Sequence, residues 1–171
     1  MNKKFFNKIF PEIVLIKSKK LRAGVIEAWI LAAKKGKWNA NNIRKVPFTL
    51  LTNTKKTLIQ HTRSVTKMAM AVAGVRKDLD FDIVIAGGLI HDVGKLLEYE
   101  YSNRAYRKSE YGRLVRHPVS GYGLALEAGL PLAVAHIAAA HSDEGEKVTR
   151  SAEAILIHHC DFIDFDIERQ K

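Results

Sequence analysis

The chain is predicted to be all-α, on three observations. No segment alternates apolar and polar residues for more than a few positions, so strand signals are nearly absent. Apolar residues recur instead at helical spacings, as at Leu58, Val65, Met68, Ala69 and Val72. Asp80, Ser151 and the prolines at 118 and 131 stand where helices would begin, and Gly129 stands where one would end.

Taken in order, two helical pieces are expected over roughly 11–20 and 22–35, followed by a polar loop in KKGKWNANNIRK. Order resumes at Pro47, and Asn53 or Thr54 is placed to cap a long helix running to about Arg76. Asp80 caps the next helix, whose apolar run 83–90 is buried on most sides and which Gly94 is placed to stop. Residues 96–116 are rich in Tyr and Arg and lack a clean period, so they read as a loop or a mobile, partly helical flap. Pro118 opens a helix through Ala128, Pro131 opens another through Ala140, and Ser151 caps a last one from Ala152 to about Asp164.

With 171 residues, 47% of them hydrophobic and 27% charged, the chain can bury one domain-sized core and is neither disordered nor fibrous. One cysteine, Cys160, excludes an internal disulfide framework and suits a reducing, cytoplasmic setting. Cys160 itself reads as an inert buried thiol. No stretch approaches the ~20 apolar residues of a membrane span. The start MNKKFFNKIF has basic residues before apolar ones, but Asn7, Lys8, Pro11 and Glu12 interrupt any signal-peptide core.

The net charge of +10 is unevenly placed. Residues 1–60 carry 14 Lys/Arg against two acids, whereas all seven histidines follow residue 60. Basic charge and candidate ligands therefore serve different jobs. We divide the chain into a basic helical extension at 1–46 and a helical, ligand-bearing domain at 47–171. Trp38 among Lys34, Lys35, Lys37, Arg44 and Lys45 has some character of a nucleic-acid surface, but a solvated face or an arm packing on a neighbouring subunit is the stronger expectation.

The chemistry lies in where His and Asp fall on these helices. His61 sits in QHTRSV, His91 and Asp92 end an apolar helix in GGLIHDVGK, His117 opens a helix in RHPVSG, His141 closes one in AAAHSDEG, and Asp161 lies in HHCDFID. Each comes from a different helix with apolar flanks, and a helical bundle brings such inward residues together as a metal site. Imidazole with carboxylate suits Mn, Fe, Co, Ni or Zn.

The order H…HD…H…H…D, with the string HDVGK, resembles the HD superfamily of metal-dependent phosphohydrolases over residues ~50–165. The resemblance implies a first metal held by His61, His91, Asp92 and Asp161. It implies a second held by His117 and His141, with Asp92 bridging. A metal-bound water has its pKa lowered to about 7, which supplies a hydroxide nucleophile at neutral pH. Family members with a His-His pair carry two ligands where this chain has Ala140 and His141. Lys95 matches the lysine that follows HD in many members, where it resembles a phosphate-binding group; as a plain residue it could equally offset a helix dipole.

Arg113 and Arg116 are placed to meet an anionic, phosphorylated substrate, while Arg63 is expected on the surface. Asp143, Glu144 and Glu146 read as a solvated acidic loop, and Tyr99, Tyr101, Tyr106 and Tyr111 as either a stacking surface or the apolar side of the flap. His136 lies about 140° round the helix from His141, so the two do not share a metal. His158 is expected to support the ligands, and His159 to be ordinary.

Hydrolysis of a phosphomonoester or phosphodiester, with a nucleotide as the favoured substrate, is the leading expectation. The alternatives are a mixed-valence di-iron oxygenase on the same ligand set, and a non-catalytic module that senses a nucleotide or grips RNA through residues 1–60. The metal's identity, the number of ions and any oligomer stay open at this level.

Overall fold

The computed structural model describes residues 1–171 and is helical apart from one hairpin. Helices α1 (Lys3–Ile9) and α2 (Lys19–Lys35) precede the long α3 (Leu58–Val75) and the buried α4 (Phe81–Ile90). A short α5 (Lys95–Glu98), the strands β1 (Tyr99–Ser102) and β2 (Ala105–Lys108), and α6 (Glu110–Leu114) follow. Then come α7 (His117–Glu127), α8 (Leu132–Ala140) and α9 (Ala152–Arg169). No helix is long and apolar enough to cross a membrane.

Helix α4 is the axis of the bundle. Every residue from Val84 to Ile90 is buried, and α2, α3, α8 and α9 all pack against it. A helix apolar on all sides is stable only inside such a sheath. The Trp29 indole of α2 donates to the Leu89 carbonyl of α4 at 2.9 Å, and one continuous core runs from Phe6 through Trp29 to Ala138.

The expected helix at 11–20 is broken. Residues Pro11–Leu15 form a 3-10 turn, and Ser18, extended in backbone, caps α2. The break is held because the Asp82 carboxylate accepts from the Lys17 and Ser18 amides at 2.9 and 2.8 Å. Helix α3 is capped by Thr57 rather than Asn53 or Thr54, in a reciprocal capping box with Gln60. Thr54 instead donates to Glu168 at 2.9 Å, tying the 48–56 strap to the end of α9.

Residues 96–116 are more ordered than expected. The strands pair from Tyr99–Lys108 to Ser102–Ala105, and Asn103 and Arg104 take φ of 52° and 62°. Two consecutive left-handed residues make the tight turn whose twist matches paired strands. An Asn-Arg turn between four-residue strands carries little sequence signal, so it passed for loop. Tyr99 is buried in the core and Tyr106 packs between Tyr101, at 4.8 Å, and Trp38, on which it stacks at 6.1 Å, whereas Tyr101 and Tyr111 remain exposed. Trp38 is 8% exposed and donates to the Leu96 carbonyl, so it anchors the core instead of offering a platform.

Gly94 does not stop α4, which has already ended at Ile90. Its role is close approach, because a Cβ there would sit 2.1 Å from the His117 carbonyl oxygen and 2.8 Å from the Gly121 amide. Both obstacles are backbone and cannot swing aside. Gly94→Ala should therefore push α7 away from the start of α5, lowering stability by about 1–3 kcal/mol. The check is a fall in the urea midpoint at unchanged slope.

Candidate metal centre

Five helices deliver their polar residues to one point. His91 caps the C-terminus of α4 with Asp92 next, and His141 caps the C-terminus of α8. His61 lies in the first turns of α3, His117 is the first residue of α7, and Asp161 is midway along α9. Helix ends suit this purpose because the chain turns there, so adjacent His91 and Asp92 both face inward.

Asp92 is the hinge of the arrangement. Its Oδ2 lies 3.4 Å from His61 Nε2 and 3.6 Å from His91 Nε2. Its Oδ1 lies 3.3 Å from His117 Nε2 and 3.6 Å from His141 Nε2. Asp161 Oδ1 closes the first group, 2.9 Å from His61 Nε2 and 4.0 Å from His91 Nε2. Two triads result, His61–His91–Asp92 and Asp92–His117–His141, each with ligand atoms within 4.8 Å of one another.

Every imidazole is oriented through its other nitrogen. Nδ1 of His61 faces Asp164 at 2.6 Å, that of His91 the Gly88 carbonyl at 2.7 Å, that of His117 Glu98 at 2.8 Å, and that of His141 the Ala138 carbonyl at 2.9 Å. All four partners accept hydrogen bonds, so each Nδ1 carries a proton and each Nε2 is turned to the centre. Asp92 Oδ1 and His141 Nε2 are buried with no hydrogen-bond partner. Buried acceptors facing one another without a donor are costly unless a cation lies between them. The donor set therefore fits a metal ion at either triad.

Protons compensate part of this charge in the metal-free chain. Burial opposes charge on His61, but hydrogen bonds to Asp161, Asp164 and Asp92 outweigh it and lift its pKa to about 10. Burial alone dominates at His91, pushed down to about 4, and it also lowers His117 against the pull of Glu98. Asp92 is held well below the carboxylate range by Lys95 and the surrounding imidazoles, against its burial.

Lys95 is buried, its Nζ donating to Asp92 Oδ2 at 2.6 Å and to the Phe48 carbonyl at 2.8 Å. A cavity of about 550 Å³ opens here, reached by Lys95, His117, Asp161 and Arg116. Arg116 also pairs with Glu144 at 2.9 Å. Arg113 lies exposed on α6, outside the lining. Asp143 lines the cavity, whereas Glu146 is bound to Arg150. Arg63 is half-buried against Glu12 rather than free on the surface.

His136 accepts from the Ser151 amide at 3.1 Å, steadying the start of α9. His158 faces the His141 carbonyl at 2.7 Å, and His159 is exposed. Cys160 is buried with its thiol pushed up to about 11, in keeping with an inert role. Sequence reasoning missed Asp164, Glu98 and Lys56, the last binding Asp164 at 2.6 Å. Asp164 had a signal, since it lies one helical turn beyond Asp161; Glu98 and Lys56 had none.

Residues 58–166 match the HD domain family. The chain belongs to that family. A dihydroneopterin 2′,3′-cyclic phosphate phosphodiesterase of Methanocaldococcus jannaschii is 30% identical to this HD domain protein over 118 residues, 64% of the chain and 47% of the relative. The chain thus spans about half the length of that relative. No solved structure matches it.

A metal entering between His61, His91 and Asp92 must displace the proton on His61. Affinity for Mn, Co, Ni or Zn should rise about tenfold per pH unit from pH 7 to 9 through that one group. Without metal the sign reverses. The stability that His61 contributes is complete below its ordinary 6.5 and is lost as pH rises through about 10. Titration calorimetry and thermal melts of the chelator-treated protein measure the two trends.

Proposed function

We propose that the chain is a metal-dependent phosphohydrolase that cleaves a phosphodiester. His61, His91, Asp92 and Asp161 would hold one divalent ion, and Asp92, His117 and His141 a second. Mn, Fe, Co, Ni or Zn suits these nitrogen and oxygen donors. The observation that carries the reading is the pair of Asp92 oxygens, each facing two imidazole Nε2 atoms in a buried space. When bound, such ions supply a hydroxide-like water near neutral pH and neutralise charge growing on phosphate oxygens.

The chain's own residues do the rest. Asp92 raises the Lys95 pKa above its ordinary value in spite of burial, so Lys95 is a standing cation and not a proton donor. It draws a phosphate oxygen to the cavity floor, with Arg116 nearer the mouth. Water adds to phosphorus, the ester P–O bond breaks, and the leaving oxygen takes up a proton. The relative's action on a cyclic phosphate favours a diester over a monoester for this chain. We infer that residues 1–46 buttress the HD domain at 47–171, since the indoles of Trp29 and Trp38 donate to the Leu89 and Leu96 carbonyls across that division. The lone buried thiol suits a cytoplasmic setting.

Asp92→Ala should remove bound metal and hydrolysis of bis(p-nitrophenyl) phosphate together, and unchanged turnover in that variant would overturn the assignment. Asp164→Asn should keep the fold yet weaken metal binding or activity by about 10–100-fold, because it removes the charge that orients His61 while leaving an amide oxygen for Lys56. Metal analysis after gel filtration separates these outcomes.

A further inference from the structure

Hydrolysis of a diester leaves one proton without a source. When the ester P–O bond breaks, an alkoxide must be protonated, and most groups around the candidate centre are ill suited to supply that proton. Lys95 and Lys108 are cations bound to Asp92 and Glu98. Against burial, His117 holds Glu98 below its ordinary pKa, and His61 does the same for Asp161, so both are ionised. The Arg116 guanidinium keeps its proton throughout. His117 donates through Nδ1 to Glu98 and turns Nε2 to Asp92.

Tyr99 lines the same cavity, four residues after Lys95. Its backbone amide closes α5 on the Lys95 carbonyl, and its backbone pairs with Lys108 at the start of the hairpin. The residue is 6% exposed and belongs to the main core, so its ring is held in place. Lys95 and the phenol each act on the other's charge, which sets the hydroxyl beside the ammonium.

The backbone of Leu50, another lining residue, bonds to that hydroxyl and works to lower its pKa. That is the effect of an amide donating to the phenol oxygen. With a donor on its lone pair, the phenol has its own hydrogen left for another acceptor. Burial outweighs both Leu50 and Lys95 and pushes the group up to about 12, so it is protonated at neutral pH.

We propose that Tyr99 is a catalytic residue that protonates the leaving oxygen. Water adds to phosphorus and loses its proton to solvent. The P–O bond breaks, its electron pair goes to the leaving oxygen, and that oxygen takes the Tyr99 proton. The phenolate is paired with Lys95 until solvent returns the proton that the attacking water lost. A phenol is a stronger acid than an aliphatic alcohol, so the transfer to an alkoxide runs downhill. A nitrophenolate needs no such help, because it departs as a stable anion. The inference rests on the phosphohydrolase reading for the reaction itself.

The experiment compares methyl riboside 2,3-cyclic phosphate, which expels an alkoxide, with bis(p-nitrophenyl) phosphate. Tyr99→Phe keeps the ring and its packing and removes only the O–H. It should lower kcat on the cyclic ester about 100- to 1,000-fold at unchanged KM. Turnover of the nitrophenyl ester, metal content and melting temperature should stay close to wild type. Wild type alone gives a second measure, since the solvent deuterium effect on kcat should be larger for the cyclic ester.

Equal losses on both esters, or no loss on either, would overturn the role of Tyr99 and leave the hydrolase reading intact. So would equal solvent deuterium effects on the two esters, or a wild type that cleaves only the nitrophenyl ester, since an enzyme unable to expel an alkoxide lacks the acid. If wild type cleaves neither ester, the hydrolase reading fails and the inference falls with it.

Discussion

The structure depends on one buried carboxylate. Asp92 is about 1% exposed, lies inside a ring of four imidazoles and is ionised there. A lone carboxylate in such a place would be protonated or excluded. Asp92 escapes both fates through Lys95 at 2.6 Å and through positive charge drawn to the imidazoles. Each neighbouring element is positioned to meet that requirement. Helices α4 and α8 end at the site, α7 begins there, and α9 brings a second carboxylate alongside.

The backbone contributes as much as the side chains. Gly88 lends its carbonyl to orient His91, and having no Cβ it lets α3 approach, since an added carbon would meet Thr66 Oγ1 at 2.8 Å. Ala138 does the same for His141 from within α8. Carbonyl acceptors stay neutral, whereas Asp164 and Glu98 bring charge to His61 and His117. The four histidines are alike in chemistry and distinct in electrostatics: Asp161, then Asp164, lifts His61 to about 10 against its burial, whereas burial lowers His91 to about 4 and outweighs Glu98 at His117.

The all-α class and most helix starts were legible because caps are local: Asp80 and Ser151 act within three residues of themselves. The six candidate ligands were legible because their order matches a family pattern. What escaped is what depends on distance in space. The break before α2 exists because Asp82, more than sixty residues away, accepts two amides. Glu98 supports His117 across nineteen residues with no periodicity to announce it. The basic first third looked like a surface for partners, yet its two tryptophans both donate hydrogen bonds into the core. Charge along a sequence reports which residues stay wet, and says little of what the apolar residues between them are holding.

The two proposed metal positions are not electrostatically equivalent. The group around His61 and His91 has Asp161 as well as one oxygen of Asp92, so it offers two carboxylates to a cation. The group around His117 and His141 has a single carboxylate oxygen, with Ala140 beside His141 where a further imidazole would have added a donor. Lys95 complicates the ranking, because it bonds to the oxygen of Asp92 that faces the first group. A protonated lysine withdraws some of that oxygen's basicity. Asp161 more than restores the balance, since a full negative charge outweighs the polarisation of a shared one. The first position would therefore offer a cation the more negative of the two donor sets, and Lys95, held by Asp92 and Phe48, keeps its charge at the cavity floor where a phosphate would arrive.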